Sequence, residues 1–108
     1  MNQYSVRTTD KALDDMESIY NYIALDLLVP DTAMEQYNRI ADAIESLAYT
    51  PKRCRLFDSQ PERDMGMRQM LIDNYSIIFV VDDVTSIVTV LRVLYSASDI
   101  NARLKNNR

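Results

Sequence analysis

The 108-residue sequence has no histidine, no tryptophan, one cysteine (Cys54) and one glycine (Gly66). Without histidine there is no serine or cysteine triad of the usual kind and no imidazole acid–base pair. A lone cysteine makes no internal disulfide, and with no histidine beside it a structural zinc site cannot be assembled. At the ordinary frequency of about 7% a chain of this length carries roughly seven glycines. A single one excludes both the P-loop and the G-x-G-x-x-G dinucleotide loop. No cofactor and no metal are expected. No apolar run approaches the roughly 18 residues of a membrane span, and Met1-Asn2-Gln3-Tyr4-Ser5-Val6 lacks the basic-then-apolar order of a leader. The expectation is one cytoplasmic domain over residues 1–108, with no membrane partner, whose chemistry rests on Arg, Lys, Tyr, Ser and carboxylates.

What is present is ordinary in amount and uneven in distribution. The chain is 47% apolar and 26% charged, with a net charge of −4. Residues 1–50 carry three positive and nine negative groups, a sum of −6; residues 51–108 carry nine positive and seven negative, a sum of +2. Local patches decide where a polyanion docks, and the basic ones lie in the second half.

Residues 3–9 alternate as a half-buried strand. From Thr9-Asp10, good helix-capping types, the apolar positions step as Ala12/Leu13, Met16, Ile19/Tyr20, Ile23/Ala24 and Leu27, which predicts an amphipathic helix to about Leu28. Val29-Pro30-Asp31 breaks it, with Asp31 placed to cap a second helix. That helix buries Ala33, Met34, Tyr37, Ile40/Ala41, Ile44 and Leu47/Ala48 and stops before Pro51. Residues 51–65 lose periodicity and read as a long loop, of the kind often functional. Strand-like runs follow at 66–73, 75–82 and 86–95, joined by turns at Asp73-Asn74 and Asp82-Asp83-Val84-Thr85. The last two are apolar on both faces, so both faces need cover, and two helices cover only one. The 51–65 loop, the tail 98–108 or a partner must shield the other. A short helix is expected from about Asp99. The order β-α-α-β-β-β gives an α+β fold, an α-hairpin packed on an antiparallel meander.

The runs Gly66-Met67-Arg68-Gln69-Met70, Asn74-Tyr75-Ser76-Ile77-Ile78-Phe79 and Val90-Leu91-Arg92-Val93-Leu94-Tyr95 resemble the RelE/ParE toxins of bacterial type II toxin–antitoxin pairs. So do Ala12 and Asp15 of the first helix, Ile19-Tyr20-Asn21-Tyr22-Ile23, and Ile44-Glu45-Ser46-Leu47 of the second. The resemblance covers nearly the whole chain and implies a toxin whose partner is a cognate antitoxin. Its first functional implication is ribosome-dependent mRNA cleavage, with ribosome and mRNA as target. The alternatives are a ParE-like DNA gyrase poison without catalysis, and a degenerate toxin that only binds antitoxin. RelE-like cleavage uses Lys, Arg and Tyr, which accommodates the missing histidines.

Carried onto this sequence, that chemistry assigns phosphate stabilisation to Arg68 and Arg92 and proton transfer or base stacking to Tyr95. Lys52, Arg53 and Arg55 would follow a nucleic-acid backbone. Two arginines of the family pattern are replaced, by Ser76 after Tyr75 and by Ser98 before Asp99. Each candidate has a plainer alternative: Tyr95 packs at a strand end, Arg92 pairs with Asp99 or Asp73, Arg68 makes a solvated cross-strand pair, and the loop bases serve solubility. Tyr75 reads as core, Met65, Met67 and Met70 as gap-fillers, and Asp14, Asp15 and Glu17 as a solvated face. The half-uncovered sheet, bordered by the terminal helix, is the expected antitoxin surface.

Overall fold

A helix start leaves N–H groups without partners, and a threonine side chain can satisfy one of them. Thr9 does so, its Oγ1 accepting from the Ala12 N–H at 3.1 Å. In the computed structural model, which describes residues 3–96, helix α1 accordingly spans Asp10–Asn21. It does not run on unchanged to Leu28. A π-helical turn, Tyr22–Asp26, follows, in which the Leu27 N–H reaches the Tyr22 carbonyl. The wider turn adds a residue and rotates the apolar stripe. Ile23 and Ala24 stay buried, whereas Leu27, expected in the stripe, is half exposed.

Helix α2 spans Pro30–Ser46 with proline in its first turn, where the missing N–H costs nothing. Val29 occupies the cap position without a side-chain bond, so Asp31 lies in the first turn instead of capping. Ala33, Ile40, Ile44 and Leu47 are buried as expected, but Met34 is half exposed.

Strands β1 (Ser5–Thr8), β2 (Arg55–Leu56), β3 (Arg68–Ile72), β4 (Tyr75–Asp82) and β5 (Ile87–Tyr95) form one sheet in the order β1-β5-β4-β3-β2. Only β1 and β5 run parallel; the other pairs are antiparallel. The α+β architecture is the one the sequence predicts. The 51–65 stretch is more structured than a loop, holding a 3-10 turn at Pro51–Arg53 and the two-residue β2. The terminal helix expected from Asp99 lies outside the described residues.

The α-hairpin packs on one sheet face through Ala12, Met16, Ile40, Ile44, Leu47 and the inward residues of β4 and β5, with Phe79 fully buried. The opposite face carries a second cluster, Phe57 and Met67 over Ile78 and Leu94. Of the three candidate shields for that face, the 51–65 loop and its continuation thus supply cover. No helix among the described residues is long and apolar enough to cross a membrane.

Two surface carboxylates tie the sheet's turns to other elements. Asp73, at φ 54° in the two-residue β3–β4 turn, accepts from Arg39 Nε and Nη2 (2.8 Å each) and from Gln36 Nε2 (3.0 Å). Asp83, in the β4–β5 turn, accepts from the Tyr4 hydroxyl (2.8 Å) and is ion-paired with Lys52. Hydrogen bonds from Arg39 and Gln36 lower the Asp73 pKa, and those from Lys52 and Tyr4 lower that of Asp83. A depressed carboxylate stabilises the fold above its unfolded value, about 3.9, and loses that contribution as pH falls through its folded value. Thermal midpoints are therefore expected to stay level from pH 7 to 5 and to decline below about pH 4. Asp73→Asn, which tolerates the same left-handed turn, should weaken the part of that decline due to residue 73.

Candidate functional site

An arginine inside an apolar strand requires an acid, because an unpaired buried charge is costly. For Arg92 of β5 that acid is Asp15 of α1. Arg92 Nε and Nη2 donate to Asp15 Oδ2 and Oδ1 at 2.6 and 2.8 Å, with the side chains only 12% and 13% exposed. This corrects two expectations: Asp15 is not part of a solvated face, and the partner of Arg92 is not Asp73, which serves Arg39. Asp99, the other expected partner, lies outside the described residues. The bonds to Asp15 hold the guanidinium more firmly protonated than an ordinary arginine.

The backbone explains the placement. Pairing with β1 ends at Thr8–Val90, leaving the rest of β5 with an open edge. There α1 supplies the partners: Thr9 Oγ1 donates to the Leu91 carbonyl (3.0 Å), and Asp15 Oδ2 accepts from the Val93 N–H (3.0 Å). A register shift lies opposite, where Ile78 pairs with Arg92 and Phe79 with Val90, leaving Leu91 as the extra residue. Such a bulge re-aims side chains.

Arg68 opens β3 and pairs across the sheet with Phe79, which puts both on the helix-covered face. Its Nη1 donates to the carbonyls of Cys54 (2.7 Å) and Lys52 (3.3 Å) instead of forming a solvated cross-strand pair. Tyr95 pairs with Tyr75 four residues further along β4, about 13 Å along the strand at the usual rise. The structure therefore does not bring Arg68 and Tyr95 together, and it commits both arginines to partners in their own chain.

The bases of the 51–65 segment are engaged as well. Lys52 pairs with Asp83. Arg53 donates to the Tyr49 and Thr50 carbonyls and to Ser46 Oγ, and Arg55 to Asp58. Burial raises the pKa of the neighbouring Cys54 thiol, the opposite of nucleophile activation. On the face away from the helices, the centre of the sheet presents Gln69, Ser76, Ile78 and Leu94. Ser76, at the position of a family arginine, is buried and hydrogen-bonded to Ser96 Oγ at 3.0 Å. Ser98 lies outside the described residues.

Tyr95 joins a different group. Its ring meets Tyr75 edge to face, centroids 5.9 Å apart, beside a cleft of about 480 Å³ walled also by Asp15, Ser18, Ile19 and Tyr22. Tyr75 is half-buried against the core and Tyr95 half exposed. Sequence reasoning placed Asp15 on a solvated face and gave Tyr22 no role. For Asp15 there was a signal: it sits three residues after buried Ala12 and next to Met16, on the border of the apolar stripe. Among the described residues no cluster of Cys, Asp and Glu could hold a metal, and every buried side-chain nitrogen and oxygen has a partner.

Comparison with known proteins supplies the context. Residues 6–100 match the family model for the ParE toxin of the type II toxin–antitoxin system parDE. No curated protein matches the sequence. Among solved structures, the chromosomal ParDE system of P. aeruginosa aligns with TM-score 0.69 at 22% identity, covering 88% of this chain and 98% of that one. The toxin–antitoxin complex RelBE2 of Mycobacterium tuberculosis aligns with TM-score 0.61 at 20% identity, over 86% and 98% of the two chains. A mutant of the E. coli toxin RelE in the free state aligns with TM-score 0.63 at 11% identity, over 96% and 97%. At these identities the likeness is one of fold.

Proposed function

The chain belongs to the ParE toxin family of type II toxin–antitoxin systems, and from that premise we propose that it acts by binding DNA gyrase and cuts no RNA itself. The observation that carries this reading is the commitment of Arg68 and Arg92 to their own chain, apart from Tyr95. Phosphoryl chemistry needs preorganised donors aimed at the charge that develops on the phosphate. Here one guanidinium serves backbone carbonyls and the other a part-buried carboxylate. Freeing Arg92 for a phosphate would leave the part-buried Asp15 uncompensated, a cost on the order of 2–4 kcal/mol. The serine at 76 supports the same reading, since a neutral hydroxyl makes a hydrogen bond about half as strong as a charge-assisted one.

An antitoxin is the expected partner, as in the RelBE2 complex named above. Exposed apolar side chains gather where the π-turn meets α2, with Leu25 67% and Leu28 77% exposed. Contiguous apolar surface of this kind marks protein contact sites, and it is better exposed than the sheet face under Phe57 and Met67.

The test is induction of the toxin without its antitoxin. DNA damage and filamentation are expected, with transcripts intact, and purified gyrase should lose supercoiling activity when the toxin is added. Transcripts cut within ribosome-bound codons, with gyrase unaffected, would restore the mRNA-cleavage reading. In that event Arg92→Ala and Tyr95→Phe would show whether these residues take part.

A further inference from the structure

Three tyrosines from separate elements wall the cleft at the end of β5: Tyr22 from the π-turn, Tyr75 from the start of β4 and Tyr95 from the end of β5. Tyr75 and Tyr95 brace each other edge to face. Tyr22 and Tyr95 keep about half their surface open to solvent, at 55% and 50%. Asp15 and Ser18 of α1 form the polar part of the wall, and among the described residues no lysine or arginine lines it.

Aromatic faces carry negative potential, and several of them around one cleft attract cations. Asp15 is already matched by Arg92, so that pair adds little net charge. Asp73 lies outside the lining and is itself matched by Arg39, so the attraction for a cation comes from the rings and not from a net carboxylate charge. A phosphate would find no positive group in this wall. A planar guanidinium would find ring faces to stack on and hydroxyl oxygens to accept its N–H groups.

We propose that this cleft receives a cationic side chain, an arginine presented by a partner protein, held against the rings of Tyr22 and Tyr95 with Tyr75 as support. The occupant follows from the character of the lining: electron-rich rings, hydroxyl acceptors and, among the described residues, no nearby base except Arg92, whose charge Asp15 offsets. The site requires neither gyrase binding nor RNA cleavage, so its test stands apart from the proposed function.

The test is NMR titration of the full chain, following the tyrosine ring signals. The probes are the capped tripeptide acetyl-Gly-Arg-Gly-amide, its citrulline isostere, and uridine monophosphate. The arginine peptide is expected to give saturable shifts at Tyr22, Tyr75 and Tyr95. Citrulline should bind at least fivefold more weakly, and the nucleotide should leave these rings unshifted. Tyr95→Leu should weaken arginine binding at least fivefold, while Tyr95→Phe, which keeps the ring face, stays within twofold. Tyr22→Leu, at an exposed position, repeats the test should Tyr95→Leu fail to fold. Equal affinity for arginine and citrulline, preference for the nucleotide, or the absence of saturable shifts would overturn the proposal.

Discussion

Asp15→Ala is expected to destabilise the protein by about 2–4 kcal/mol. The side chains of the pair are 12% and 13% exposed, so the loss lies well above that of an exposed ion pair and below the full loss for a completely buried one. The carboxylate has more than one task. Its two oxygens take both hydrogen bonds from Arg92, and Oδ2 also accepts the Val93 N–H where β1 no longer pairs with β5. Alanine leaves a guanidinium of 12% exposure without its counter-ion and a strand-edge donor without an acceptor. Urea denaturation of Asp15→Ala, Arg92→Met and the double variant measures the coupling. Because apolar replacement of a whole buried pair is often neutral, the double variant should be less destabilised than Asp15→Ala alone. A loss below about 1 kcal/mol for Asp15→Ala would place the pair with ordinary surface ion pairs and remove the argument that Arg92 is unavailable to phosphate.

Sequence periodicity was enough for the elements whose signals are local. Thr9 announces the start of α1 through its own hydroxyl, and Asp73-Asn74 marks a turn because aspartate tolerates the left-handed conformation it adopts. It misplaced Leu27, since a π-turn inserts one residue without any change of composition. It also missed β2, because two residues cannot display a period of two. The acid that answers Arg92 lies 77 residues earlier in the chain. An arginine in an apolar strand predicts that an acid exists, but only the docking of α1 on the open edge of β5 decides which one. The tyrosine cleft is further still from local signal. Its three rings come from a helical turn and two strands, and nothing in their spacing places them together.

Phe57→Ala is the second large loss to expect, about 3–5 kcal/mol from the removed side chain and the cavity it leaves. Strands apolar on both faces must be covered on both. Over the face away from the helices Phe57 is only 5% exposed and clusters with Met67, Ile78 and Leu94. Backbone bonds hold the cover down: the Phe57 N–H donates to the Met67 carbonyl at 3.0 Å, and the Met67 N–H to the Glu62 carbonyl at 3.1 Å. Cover supplied from within the chain requires Phe57→Ala to lower the denaturation midpoint of the isolated toxin and to increase its binding of a dye that reports exposed apolar surface. Cover supplied chiefly by a partner requires the isolated toxin to be nearly indifferent to the change and the antitoxin complex to weaken instead. The measured split between free toxin and complex thus tells whether this face is a finished part of the core or a surface left for docking. Burial of Phe57 and Met67 requires the first result.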